Sequence, residues 1–131
     1  MKRMKKQFVI LLVIFAISTV MTQAQNKIEV NSVQANELIQ KNKKIVVLDV
    51  RTFDEFELGR VKGAINIDML QADATSKISK LDKTKTYLVY CRTHHRSDNA
   101  VNFMLQHGFK NIYQMVDGFN GWMANKLPEE D

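Results

Sequence analysis

The residue types able to do covalent chemistry gather in one stretch, Cys91-Arg92-Thr93-His94-His95-Arg96, which holds the only cysteine of the 131-residue chain and two of its three histidines. The stretch follows the apolar run Tyr87-Leu88-Val89-Tyr90 and precedes Ser97 and an amphipathic segment, so the thiol falls where a strand turns into a helix. Backbone N–H groups of such a turn, with the free N–H groups of the following helix, converge on one point and favour an anion there. Cys91 is thereby placed to react as a thiolate, and Arg92 and Arg96 add fixed positive charge. The plain alternative is that a lone cysteine at the end of a buried strand serves as a small hydrophobe. A Cys91-His94-His95 metal site lacks the spacing of a structural zinc site, and neither metal nor cofactor is implied.

Alternating elements must position this stretch. Ile28-Glu29-Val30 reads as a short strand, and Ser32 as the cap of a helix carrying Val33, Leu38 and Ile39. The continuous apolar run Ile45-Val46-Val47-Leu48 suits a strand buried on both faces of a parallel sheet. Thr52-Phe53-Asp54-Glu55 has capping-box form, and Gly59 can close that helix. Further strands are predicted at Ala64–Ile67, Thr86–Tyr90 and Asn111–Met115. Helices are predicted from Asp73 to Leu81, Ser97 to His107 and Gly118 to Asn125, with Trp122, Phe103 and Phe109 as core residues and Glu129-Glu130-Asp131 as a loose tail. Such alternation implies a parallel sheet covered on both faces, with ligands at the carboxyl ends of its strands. Cys91 and Asp49-Val50-Arg51 both stand at such ends and can meet around one pocket.

A hydrophobic share of 45% suffices for one modest core. The net charge of +5 does not point to nucleic acid, because Lys2, Arg3, Lys5 and Lys6 lie in the first 24 residues, which hold no acid. The remainder carries 15 basic against 14 acidic side chains. Those 24 residues, a basic start followed by the apolar run from Phe8 to Met21, read as a signal peptide cleaved after Ala24. The apolar run is short against the roughly 20 residues that span a bilayer, so no stable membrane insertion is expected after cleavage. Residues 25–131 then form one exported domain, periplasmic or secreted. A single cysteine permits no internal disulfide, which leaves a thiol available for reaction.

Leu48-Asp49-Val50-Arg51, Glu55, Gly59 through Ile67, Tyr90-Cys91 through Ser97, and Gly108-Phe109-Lys110-Asn111-Ile112-Tyr113 through Gly118 and Trp122 together resemble the single-domain rhodanese family, over roughly Ile28 to Leu127. The resemblance implies an α/β, three-layer fold with a central, mostly parallel five-stranded sheet flanked by helices. It also implies a persulfide-forming cysteine in a six-residue loop, Cys91 to Arg96. Cysteine phosphatases that share this fold need Cys-x5-Arg to cradle phosphate, whereas here Arg96 stands at Cys-x4-Arg and Ser97 occupies the next position. The shorter loop favours sulfur transfer.

On that resemblance Cys91 is the nucleophile, with Arg92, Thr93, His94, His95 and Arg96 lining the substrate site. Asp49, Arg51 and Ser97 support it from behind. The donor is a small sulfur anion such as thiosulfate, or a persulfide; the acceptor is cyanide, a small thiol or a protein thiol. The second reading is a non-catalytic module that binds a partner or senses oxidants through Cys91. Three positions depart from the family pattern: His94 stands where a mid-loop glycine is usual, Asp117-Gly118 where Gly-Gly is common, and Arg60 in place of a histidine. A non-glycine at position 94 is expected either to strain the loop or to adopt the left-handed conformation.

Overall fold

The computed structural model describes residues 26–131. The signal peptide expected at residues 1–24 lies outside the described residues. The chain runs β1 (Ile28–Val30), α1 (Ser32–Lys41), β2 (Val46–Asp49), α2 (Phe53–Leu58), β3 (Arg60–Val61), β4 (Ile65–Asn66), α3 (Ala74–Ser79), β5 (Thr86–Tyr90), α4 (His95–Gln106), β6 (Asn111–Met115), α5 (Gly118–Ala124) and β7 (Glu129–Glu130). No helix among the described residues is long and apolar enough to cross a membrane.

Five strands form one sheet in the order β1-β6-β5-β2-β4, and every pair in it is parallel. This is the α/β architecture expected from the sequence. Alternation along β5 shows why its sequence is apolar throughout: Tyr87 and Val89 face a core shared with Ile78 of α3 and Val101 and Met104 of α4. Leu88 and Tyr90 face a second core with Ala35 of α1 and Trp122 of α5. A strand covered on both faces has no polar side to present. Trp122 and Phe109 are fully buried, and Phe103 packs against the first core.

Local chemistry sets the helix ends. Thr52 caps α2 as expected, its hydroxyl accepting the Glu55 N–H at 3.2 Å, and Gly59 (φ +155°) ends the helix. At α1 the cap is Asn31 rather than Ser32. The Asn31 side chain accepts the Gln34 N–H, and the Gln34 side chain accepts the Asn31 N–H, both at 2.9 Å. Ser32 is buried one residue inside and its hydroxyl donates to Asp117 Oδ2 at 2.8 Å, so a tertiary bond takes the group that sequence assigned to the cap. Helix α4 begins at His95, two residues before the expected Ser97, because the Asp98 N–H already reaches the His94 carbonyl at 2.8 Å.

The acidic tail is not loose. Glu129–Glu130 pairs antiparallel with Arg60–Val61, and Glu130 accepts the Gly63 N–H at 2.9 Å. The Trp122 indole donates to the Pro128 carbonyl at 3.0 Å, fixing the chain just before it enters β7.

Candidate active site

From β2 the chain continues to β4 on one side, and from β5 it continues to β6 on the other, so adjacent β2 and β5 lead away in opposite directions. A crevice at the carboxyl ends of such a pair is where ligands bind in open α/β sheets. Asp49 at the end of β2 lies in register with Tyr90 at the end of β5. The sheet therefore brings Asp49-Val50-Arg51 beside Cys91, as the sequence led one to expect.

Cys91 is 1% exposed, and its sulfur accepts the Ser97 N–H at 3.4 Å and lies 3.5 Å from Ser97 Oγ. The start of the loop is held from behind by the first turn of α5, where Phe119 N–H donates to the Cys91 carbonyl at 2.8 Å and Asn120 N–H to the Arg92 carbonyl at 3.1 Å. Gly118 makes this approach possible. Its φ is +61°, and a Cβ there would run into the carbonyl oxygens of Arg92 and Thr93. Asp117, where the family pattern has glycine, is tied to Ser32.

The expected strain at His94 is absent: its φ is −147°, and Lys126 is the only non-glycine with positive φ among the described residues. The conformation that would favour glycine is not adopted. Arg92, Thr93, His94 and His95 are all exposed around the loop, with the two imidazoles 4.3 Å apart.

The two arginines differ. Arg96 makes a two-pronged pair with Glu55 of α2, Nη1 to Oε1 at 2.7 Å and Nη2 to Oε2 at 3.2 Å. The hydrogen bond from Arg96 holds the Glu55 carboxyl below its ordinary value, and the same bond raises Arg96. Arg92 has no such partner among the described residues. It lines a cleft of about 270 Å³ with Arg51, Glu55, Phe119 and the exposed Leu58 and Met123.

Behind the loop, Arg51 wraps back on Asp49. Its Nη2 donates to Asp49 Oδ2 and to the Gly59 carbonyl, both at 2.7 Å, and its backbone N–H donates to Asp49 Oδ1 at 2.9 Å. Burial works against the Arg51 charge, but the hydrogen bond to Asp49 and that carboxylate's charge outweigh it, so the guanidinium stays protonated. Tyr90 donates to Asp49 Oδ2 at 2.7 Å and accepts the Val61 N–H at 3.1 Å; burial, with Asp49 beside it, pushes the phenol's pKa up. The guanidinium also lies 4.1 Å over the Phe119 ring. This network braces β2, β3, β5 and α5 and sends no group to the sulfur.

Four residues that sequence reasoning did not place among the site residues complete the surroundings: Glu55, Tyr90, Gln114 and Lys27. Gln114 left a signal, being the one polar residue inside Ile112-Tyr113-Gln114-Met115. It shares the face of Ile112, beneath α4, is fully buried, and donates to Ser97 Oγ at 3.0 Å. Glu55 enters the sequence reading only through the Thr52 helix start and the family resemblance, and Lys27 looks like an ordinary surface charge; the fold brings them to Arg96 and Gln114.

The profile of the rhodanese-like domain matches residues 32–125. The chain is 32% identical over 97 residues to thiosulfate sulfurtransferase GlpE of Coxiella burnetii, covering 74% of this chain and 88% of that protein. It is 42% identical over 77 residues to the tRNA uridine(34) hydroxylase of Cytophaga hutchinsonii, covering 56% of this chain and 25% of that protein. The crystal structure of a rhodanese-related protein from Thermoplasma volcanium superposes with a TM-score of 0.67 at 31% identity, covering 79% of this chain and 97% of that one.

Proposed function

The chain belongs to the rhodanese-like domain family, and from that premise we propose that it is an exported sulfurtransferase that carries sulfur on Cys91. The observation that supports the reading is the six-residue loop from Cys91 to Arg96, followed directly by Ser97, whose N–H donates to the cysteine sulfur at 3.4 Å. In the first step the Cys91 thiolate attacks the outer sulfur of thiosulfate. The new S–S bond forms as the old one breaks, sulfite leaves with the bonding electron pair, and the persulfide anion remains on the enzyme. In the second step a nucleophile such as cyanide or a thiolate takes the outer sulfur and Cys91 leaves as thiolate. The second step needs no redox partner, because the sulfane sulfur moves without net electron transfer.

On this reading each residue at the loop has a role. Arg92, exposed and free of an ion pair among the described residues, binds the anionic donor at the loop's mouth. Arg96 is occupied by Glu55 and shapes the loop. Of the two arginines that the sequence set at the site, Arg92 is thus the one left for the donor. Thr93, His94 and His95 form the exposed rim that a donor passes, while Asp49, Arg51 and Ser97 support from beneath. Export rests on the basic, then apolar, N-terminal segment alone.

One observation favours the second reading, a binding module without turnover: Cys91 is 1% exposed. The two separate in a thiosulfate and cyanide assay. Thiocyanate produced by the wild type and not by Cys91→Ser establishes transfer. Absence of product from both, in folded protein, with a small persulfide tried as donor, leaves the module.

A further inference from the structure

Deepening the reading of Cys91 as the sulfur carrier, on which it rests, we propose that Gln114 is a positioning residue for that chemistry, aiming the Ser97 hydroxyl at the sulfur whenever the sulfur is charged.

Ser97 Oγ sits among three groups: the His94 carbonyl at 3.0 Å, the Cys91 sulfur at 3.5 Å and Gln114 Nε2 at 3.0 Å. The hydroxyl has one hydrogen to give. With an uncharged thiol it serves the His94 carbonyl, the closer and stronger acceptor. A thiolate or persulfide anion is the better acceptor, and the hydrogen swings to it. The swing leaves nothing unpaired, because the His94 carbonyl keeps the Asp98 N–H at 2.8 Å. Gln114 keeps the oxygen itself satisfied in either position by donating to its lone pair. Without that donor, the lone pairs of a fully buried hydroxyl oxygen would accept no hydrogen bond once the sulfur has lost its proton, and the hydroxyl would be a weaker donor to the anion.

This works only if the Gln114 amide faces one way, and two opposite charges hold it so. Lys27 Nζ donates to Oε1 at 2.6 Å, and Nε2 donates to Asp98 Oδ1, also at 2.6 Å. A flipped amide would set its oxygen against the Asp98 carboxylate and its NH₂ against the Lys27 ammonium. Donation from Gln114 also holds the Asp98 carboxyl below its ordinary value, with Lys27 nearby helping. The result is a hydrogen-bonded line from a surface ammonium to the buried sulfur, passing through a residue that touches no substrate.

The test reads Cys91 alkylation by iodoacetamide, a neutral probe, beside kcat and KM for thiosulfate, in a cycle of Gln114→Met, Ser97→Ala and the double variant. Gln114→Met keeps the chain length, adds no charge beside Asp98 or the sulfur, leaves Lys27 its ion pair with Asp98 and loses the donor. It is expected to slow alkylation and kcat by about fivefold, the weight of one hydrogen bond, with KM unchanged. Ser97→Ala is expected to do the same, and the double variant to lose no more than Ser97→Ala alone, since Gln114 acts through that hydroxyl. An equal further loss in the Ser97→Ala background, or wild-type alkylation in Gln114→Met, overturns the proposal. If Gln114→Met does not fold, Lys27→Met carries the same non-additivity test from the partly exposed end. Alkylation needs no sulfur donor, so a protein that never transfers sulfur would fail the kinetic assay and still answer this question.

Discussion

Two polar networks flank the loop around Cys91, and they are built to opposite plans. On the β2 side Asp49, Arg51, Tyr90 and the Gly59 carbonyl form a closed set, with Asp49 0% and Arg51 3% exposed. On the β6 side Ser97, Gln114, Asp98 and Lys27 form an open line that starts at the sulfur and ends in side chains 38% and 26% exposed, those of Asp98 and Lys27. The closed set joins four backbone segments and offers nothing to the sulfur. The open line touches the sulfur, tying α4 to β6 and to Lys27 on the way to the surface. Rigidity and reactivity are thus assigned to different sides of one loop, and substitutions on the two sides are expected to fail in different measurements.

The largest effect is expected from Asp49→Ala. It leaves a buried guanidinium without its counter-ion and a buried phenol without its acceptor, which costs about 3–5 kcal/mol in urea denaturation. A loss below about 1 kcal/mol would break the comparison, since the closed side would then carry no stability. Next is Gly118→Ala, where the side chain collides with the Arg92 and Thr93 carbonyls at a φ of +61°. It is expected to cost about 1–3 kcal/mol and to loosen the loop, so denaturation and Cys91 alkylation should both respond. Arg92→Ala sharpens the difference between the two arginines. It is expected to raise KM for thiosulfate about tenfold, about 1.4 kcal/mol, while Arg96→Ala changes KM less.

The smallest effect is a pH dependence. Arg96 holds the folded-state value of Glu55 below the ordinary 4.5, so the pair contributes stability above 4.5 that is lost as pH falls through the lower folded value. Glu55→Gln should remove that component of the acid limb and leave the neutral-pH thiocyanate yield largely in place. A wild-type acid limb in the variant would show that the pair is not coupled to folding.

Most of the scaffold was legible because it rests on local rules. Short apolar runs rich in β-branched or aromatic residues, such as Val46–Leu48 and Tyr87–Tyr90, suit strands buried on both faces, and Thr52 with Glu55 writes its own helix start. The parts that were not legible depend on partners distant in sequence. Ser32 gave up the cap role to meet Asp117, 85 residues away, and Glu129–Glu130 is a strand only because Arg60–Val61 offers an edge. The site divides the same way. Cys91 and the Asp49-Arg51 brace announce themselves by position at strand ends, whereas the unequal standing of Arg92 and Arg96 turns on Glu55, which no spacing rule connects to the loop. Gln114 lay between these cases, visible as a misplaced polar residue but without a stated reason to be there.

Intact mass of purified protein spanning residues 25–131 after incubation with thiosulfate, for wild type and Cys91→Ser, tests sulfur carriage most directly. The prediction is a gain of about 32 Da, one sulfur atom, on the wild type alone, removed by cyanide as thiocyanate appears. A wild type whose mass does not change with thiosulfate or a small persulfide, while its thiol still reacts with iodoacetamide, would contradict it.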